Sequence, residues 1–359
     1  MTLNVRGLRS KRKQRQLLRL LNYEHVDVAA VQETKLSSDE DIAEALEPFR
    51  ADFEVCVSHA VGLSAGCFLF LRKSLGYPFV SLSVDQEVRL ISCDLSLRQS
   101  EWRFICAYAH NTVNARSFFF KFLANFLDTD KMVVLMGDFN CVCNAEDRAL
   151  LQTRYDRTAS ILKDLLQEHN LVDVACRKDM SLRFTHFQGV SHARLDRIYV
   201  SGEVFTSMAR YNVRPIFFSI HCMVSVRFGD KAPRLFRPKW ELWKFNVSLL
   251  KDEKFSKRVL TILHKCIDNQ NMHIFAIWDS FKQEVKNLAI ERSTTVSYEN
   301  KQKRRELYKT LILFHELECI NPGFYSDDIN VTRAQLQALE TEKYRGAVVR
   351  SRTKKIFAW

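Results

Sequence analysis

The sharpest chemical signal in the sequence is Met136-Gly137-Asp138-Phe139-Asn140, where an apolar run ends in glycine and two polar side chains follow two positions apart. Alternate residues of an extended chain share a face, so Asp138 and Asn140 can aim an acid and an amide donor at one phosphate. Taken alone, the same residues read equally as a strand-end turn capped by Asp and Asn. Glu33, in Gln32-Glu33-Thr34-Lys35, ends another apolar strand and offers the hard oxygens that Mg²⁺ prefers. In isolation it reads as an ordinary surface residue. Asn4 is polar within an apolar strand and needs a partner or an exit to a cleft. Asp196, inside a strand pattern, needs a cationic or hydrogen-bonded partner, and His221 is the candidate. A lone histidine is more often structural than catalytic. Tyr108 and Asn111 close a further strand with groups able to hold a scissile phosphate.

These residues must be positioned by strands. Residues 1–5, 26–32, 66–71 and 132–136 read as apolar strands, and 11–23, 115–127 and 160–168 as helices. In residues 89–97, Ile91, Cys93, Leu95 and Leu97 alternate with polar residues, the period of a half-buried strand. The next stretch repeats the pattern with Trp102, Phe104, Cys106 and Tyr108, so a hairpin around 98–101 is expected. Further strands are expected near Phe184 and over 194–200. Many strands mixed with few helices predict a layered α/β or α+β sandwich. From about residue 229 the texture changes. A proline-bearing linker at 232–239 precedes helices over 248–268, 274–318 and 329–350, the last two separated by Asn321-Pro322-Gly323.

A chain of 359 residues suggests two units, here residues 1–228 and 229–359. The formal net charge of +12 is uneven. Residues 229–359 hold 25 Lys+Arg against 16 Asp+Glu, while residues 1–228 hold 29 against 26. A basic second segment suggests a polyanion such as nucleic acid, and solvated helix faces are the alternative. The ten cysteines form no C-x-x-C pair, which argues against a zinc site and suits core thiols in a reducing compartment. No apolar run reaches the length of a membrane span, and no signal-peptide core is seen. An intracellular protein of nucleus or cytoplasm, with no membrane partner, is expected.

In chain order Asn4, Glu33, Tyr108, Asn111, Asp138, Asn140, Asp196 and His221, each at a strand end, the sequence resembles the endonuclease–exonuclease–phosphatase family. Specifically, it resembles the apurinic-like endonuclease domain of LINE-type (non-LTR) retrotransposon open reading frames, from Met1 to about Phe228. Thr185 and the 195–200 block match as well. The resemblance implies a DNase I-like, four-layered α/β sandwich of two packed mixed sheets, followed by a mainly helical basic extension. It implies DNA nicking with Mg²⁺, or alternatively Mn²⁺, to leave a 3′-hydroxyl. Glu33, with Asn4 beside it, would bind the metal. Tyr108, Asn111, Thr185 and Ser219 would contact the phosphate or substrate. Asp138 would assist proton transfer, Asn140 would stabilise the phosphorane, and Asp196 would orient His221. Duplex DNA is the implied partner, with element RNA a second one through residues 229–359.

The sequence departs from that family at Ile220, where the Ser-Asp-His pattern becomes Ser219-Ile220-His221, implying a weaker metal site and slower turnover. The first strand begins only three residues before Asn4, so the sheet is expected to be shortened at one edge. Residues 240–250 resemble the connector that follows such nuclease domains. Tyr344-Arg345-Gly346 and Val349-Arg350-Ser351-Arg352 resemble the stretch just before a reverse transcriptase, where the chain is expected to stop. The alternatives are an abasic-site repair nuclease, a catalytically impaired transposon remnant that only binds nucleic acid, and, more weakly, an inositol-phosphate or lipid phosphatase.

Overall fold

A computed structural model describes residues 1–62, 64–76, 79–84, 89–97, 100–149, 156–177, 183–229, 245–268 and 273–356. In chain order the elements are β1 (Thr2–Asn4), α1 (Lys11–Tyr23), β2 (Val28–Gln32), α2 (Asp39–Leu46), β3 (Phe53–Val61), β4 (Ser64–Arg72), β5 (Phe79–Val84), β6 (Leu90–Leu97) and β7 (Ser100–Tyr108). They continue with α3 (Val113–Leu127), β8 (Met132–Asp138), α4 (Thr158–Glu168), β9 (Leu171–Asp173), β10 (His186–Gln188), β11 (Ser191–Ala193) and β12 (Asp196–Ser201). Last come α5 (Gly202–Thr206), β13 (Met208–Arg214), β14 (Met223–Phe228), α6 (Glu253–Ile267), α7 (Ile274–Ile320) and α8 (Ser326–Ile356). The expected linker at 232–239 and the residues 240–244 lie outside the described residues, as do 98–99 between β6 and β7.

Two six-stranded mixed sheets form, in the orders β13-β14-β1-β2-β4-β3 and β5-β6-β7-β8-β12-β9. Their inner faces meet through residues such as Leu69, Leu71, Ile91, Cys106, Met136 and Ile198. The outer face of the first sheet is covered by α1 and α2, whose Leu17, Leu21 and Ile42 join Val31 and Phe70. The outer face of the second is covered by α3 and α4 through Phe120, Leu123 and Leu162. Burial on both faces explains why β4 and β8 read as continuous apolar runs.

Each sheet contains one parallel pair, β1–β2 and β7–β8. Parallel neighbours end at the same side, so Asn4, Glu33, Tyr108 and Asp138 all emerge at one edge of the sandwich. Antiparallel β12 begins there, with Asp196 opposite Asp138. Antiparallel β14 begins there too, bringing in the preceding His221. The short β1 lies between β14 and β2. Strand β1 is therefore an inner strand of the sheet, not an edge strand.

Gly137 is fixed by the β7–β8 approach: a Cβ there would meet the Ala107 carbonyl oxygen at 1.9 Å. Strand β6 corrects the half-buried reading, because Ser92 and Asp94 are buried as well. Asp94 tolerates this by accepting from Arg103 at 2.7 and 2.8 Å, with the Lys131 ammonium 3.2 Å away. Burial opposes its ionisation, but the bonds from Arg103, Lys131 and Ser81 outweigh that and hold the carboxyl down to about 2. A depressed acid stabilises the fold above its ordinary value near 3.8, and that contribution is lost as pH falls towards 2. Asp94→Asn should lower the melting temperature at pH 7 by about 5 °C or more. The gap should close in melts at pH 2, and an equal gap at both pH values would contradict the pairing.

The chain forms two compact units, Met1–Lys231 with Leu311–Arg333, and Ala232–Thr310 with Ala334–Trp359. This differs from a simple division at residue 228, because the end of α7 and the start of α8 belong with the sandwich. The helices expected over 274–318 and 329–350 are α7 and α8, each longer than expected. In the second unit Leu249, Phe255, Leu288 and Ala289 form a small core, and Arg292 donates to Asp252 at 2.6 Å. Among the described residues no helix is long and apolar enough to cross a membrane.

Candidate active site

Asn4, at the end of β1, is buried, and its Nδ2 donates both to Glu33 Oε2 at 3.0 Å and to Asp138 Oδ2 at 2.9 Å. One amide thus ties the ends of β1, β2 and β8 together across the two sheets. The Asn4 side-chain oxygen Oδ1 accepts the Arg6 N–H at 3.0 Å. Asn4 was expected beside the metal as a ligand; here it holds two carboxylates in place and its own oxygen is occupied.

Glu33 has φ 58°, a left-handed conformation rare for a residue with a Cβ. That turn lifts its carboxylate off the strand and into the cleft, at a cost of about 1–3 kcal/mol. Gly7 and Leu8 help to fix it by donating to the carbonyls of Glu33 and Thr34 at 2.6 and 2.8 Å. Lys35 Nζ lies 2.9 Å from Glu33 Oε1. Burial raises the Glu33 carboxyl, but the bonds from Lys35 and Asn4 outweigh it and hold the group below the usual carboxylate range.

Asp138 is buried, and its Oδ1 accepts the Asn140 N–H at 3.0 Å. Burial, reinforced by the charge of Asp196, pushes its carboxyl above the ordinary value. A carboxylate so placed takes up a proton more readily than a solvated one. Asn140, at φ 46°, donates its side-chain amide to the Ala109 carbonyl at 2.8 Å.

Asp196 is fully buried and its Oδ2 lies 2.8 Å from Nδ1 of His221. The other oxygen of Asp196 has no hydrogen-bond partner among the described residues. His221 is itself buried. Desolvation pulls its imidazole down, but the charges and bond supplied by Asp196, with Asp138 and Glu33 adding, raise it above the ordinary value. Behind the pair, Arg197 bonds Asp147 at 2.9 Å and Arg194 bonds Asp173 at 2.6 Å, anchoring the start of β12.

Tyr108 is buried, and burial plus the charges of Glu33 and Asp138 push its phenol well up, so it stays a neutral donor. Asn111 is exposed on the loop before α3. The two hydroxyls expected to contact substrate bond the protein backbone. The Thr185 hydroxyl is fully buried and accepts the N–H groups of Leu195 and Asp196 at 3.0 and 2.9 Å. Ser219 is buried, donating to the Asn4 carbonyl at 2.7 Å and accepting from His221 N–H at 3.1 Å. Both hydroxyls are consumed in holding the backbone of the Asp196–His221 pair. Sequence reasoning missed His186, whose ring centroid lies 4.6 Å from that of His221. Its position directly after Thr185 was the available signal. Burial and the neighbouring His221 push its imidazole down to about 4, so it is neutral.

One ligand atom each from Asp138, Asp196 and His221 lies within 4.8 Å of the others, a group able to hold a metal ion. The unpartnered buried oxygen of Asp196 and the ionised Glu33 suit a hard divalent cation.

Residues 1–217 match the Endonuclease/Exonuclease/phosphatase family. The chain belongs to that family. Along 98% of its length it is 28% identical to the Transposon TX1 uncharacterized 149 kDa protein of Xenopus laevis, of which it spans 27%. Among solved structures it is similar to the AP endonuclease LMAP of Leishmania major, with 17% identity and a TM-score of 0.55 over 64% of this chain and 87% of that one. An AP endonuclease from Archaeoglobus fulgidus is alike at 16% identity and 0.54, over 63% and 97%. At these identities the structural likeness speaks for the fold.

Proposed function

We propose that this chain is a Mg²⁺-dependent DNA endonuclease that nicks duplex DNA in the service of a LINE-type retrotransposon, with Mn²⁺ able to substitute. The reading rests on the convergence of Asn4, Glu33, Asp138, Asn140, Asp196 and His221 at one edge of the sandwich, within a family of phosphodiester-cleaving enzymes. Net charges of +12 for the chain and a surplus of Lys+Arg over residues 229–359 favour a polyanionic substrate. Element RNA remains the proposed second partner of that basic segment.

Water attacks phosphorus, the P–O3′ bond breaks, and a 5′-phosphate and a 3′-hydroxyl result. Glu33 and the neighbouring carboxylates would hold a divalent cation, which would supply charge neutralisation at the phosphate oxygens. Asp138, with its raised carboxyl, takes the proton of the attacking water. The Asp196 carboxylate fixes Nδ1 of His221 as the donor, so Nε2 and the cationic form face the charge developing on phosphorus. Tyr108 and Asn140 would donate to the phosphate, with Asn111 as a further contact. The proton that ends on O3′ comes from solvent.

Supercoiled plasmid with and without abasic sites tests the substrate. The proposal expects intact plasmid to be nicked. Cleavage confined to abasic plasmid would favour the repair reading, which the likeness to AP endonucleases keeps as the second one.

Ile220 places a half-buried aliphatic group where the family carries Asp, and it is the observation favouring an impaired remnant. Ile220→Asp should raise Mg²⁺-dependent nicking by about tenfold, the size of an outer-ligand effect. The circular dichroism spectrum should not change, since the strand contact at this position is the Ile220 carbonyl accepting from Phe187 N–H. Equal rates for wild type and variant would make the missing carboxylate unimportant.

A further inference from the structure

Residues Leu311–Arg333 belong to the first compact unit, although the family match stops at residue 217. They rest on the β10–β11 hairpin. Glu318 is fully buried, and its Oε1 lies 2.8 Å from Nε2 of His192, which is buried too. The same carboxylate accepts the N–H groups of Gly323 and Tyr325, each at 2.6 Å, and lies 2.9 Å from the Ser326 hydroxyl. Nδ1 of His192 has no partner among the described residues, so Glu318 is the polar anchor of that ring. Phe187 is clasped between rings, 4.9 Å from His192 and 4.6 Å from His315 on α7. His315 is held in turn by the Leu311 carbonyl at 2.7 Å and Arg333 at 3.2 Å.

The opposite side of this hairpin holds the Asp–His pair. Successive strand residues face opposite ways, so Phe187 meets the helices while His186 meets His221. Phe187 N–H donates to the Ile220 carbonyl at 3.1 Å, and Cys222 N–H to the Thr185 carbonyl at 2.6 Å. Thr185 Oγ1 accepts the Asp196 N–H. Residues 185–187 thus grip both members of the pair, and their footing is the helix that carries Glu318.

We propose that Glu318 is a positioning residue for the Asp196–His221 pair, acting through His192 and the β10–β11 hairpin, so that the working unit extends to the helical turn at 311–333. The kinetic part rests on the nuclease reading above. Exchanging the carboxylate for an amide puts an NH₂ group where one of the two oxygens accepts, so at least one of the buried donors converging there loses its acceptor, a cost that a shift of the hairpin would relieve. A shift of the hairpin is a shift of residues 220–222, because the two backbones are bonded.

The test uses the full chain with Glu318→Gln, and Glu318→Asp as the conservative variant that keeps the charge. In Glu318→Gln, amide exchange at Phe187 and Cys222 should quicken by about tenfold or more while that of Leu135 in β8 is unchanged. Nicking should lose about tenfold in kcat with KM within about twofold, and Glu318→Asp should recover part of both losses. Should Glu318→Gln not fold, His192→Phe, which keeps a ring beside Phe187, removes the same bond and carries the same expectations. Unchanged exchange at Phe187 and Cys222 in a folded variant, equal quickening at Leu135, or a loss confined to KM would overturn the proposal. Exchange needs no turnover, so a wild type that never nicks would count against the nuclease reading and leave exchange to decide the positioning.

Discussion

His221→Ala is expected to lower the rate of plasmid nicking by about 10²–10⁴-fold. The imidazole is the one group of the site that combines a raised proton affinity with a carboxylate at 2.8 Å to fix its tautomer. Its removal would delete the cation that the proposed mechanism sets against the phosphorane, and leaves Asp196 buried without its partner. Some stability must therefore be lost, and Asp196→Asn should separate the two effects. That variant keeps the histidine and the packing but removes the charge that favours imidazolium. Its rate should fall nearly as far. A His221→Ala enzyme that nicks within about threefold of wild type would return His221 to a structural role and remove its cationic stabilisation of the phosphorane from the mechanism.

Glu33→Gln should weaken divalent-cation binding by more than the 10–100-fold typical of an outer-shell partner, because it removes an ionised oxygen ligand. The substitution is close in shape, and Gln can still accept from Asn4, so the left-handed turn at this position should survive. Isothermal titration with Mn²⁺ reads the affinity directly, and nicking at a series of Mg²⁺ concentrations should show the midpoint moving upward. Lys35, left without its acid at 2.9 Å, would further repel the cation. Unchanged Mn²⁺ affinity would place the metal elsewhere, with Asp138, Asp196 and His221 the alternative group.

The helix α1 was legible to the residue, because Leu17, Leu18, Leu20 and Leu21 mark one face between clear polar ends. The strands that carry Glu33 and Asp138 were equally plain, since burial on both faces makes them unbroken apolar runs. Strand β3 was not seen: its inward positions include Cys56, Ser58 and Ala60, too small and polar to outline a face. Helix α2 was missed although Ser38 caps it, its side chain accepting from Asp41 N–H. The strand expected at Phe184 lies two residues further on, in a three-residue β10 too short for any periodicity.

Within the site, residue types were readable and depths were not. Thr185 and Ser219 are polar near the cleft, yet backbone N–H and carbonyl groups claim their hydroxyls, and nothing local to the sequence announces that. Asn4 was placed with the metal, whereas its amide is spent on two carboxylates 29 and 134 residues away. The contact between His192 and Glu318 spans 126 residues and crosses the change in texture at 229. A division made on composition had to place them in different domains.

The central claim is that this cleft hydrolyses DNA phosphodiesters with a divalent cation, and the direct measurement is nicking of supercoiled plasmid by the purified full chain in Mg²⁺ and in EDTA, with the new ends tested as polymerase primers. The account predicts open-circular product in Mg²⁺, none in EDTA, and 3′ ends that a polymerase extends without prior treatment. Nicking that persists in EDTA, ends that cannot be extended, or no nicking by wild type and Ile220→Asp alike would contradict it.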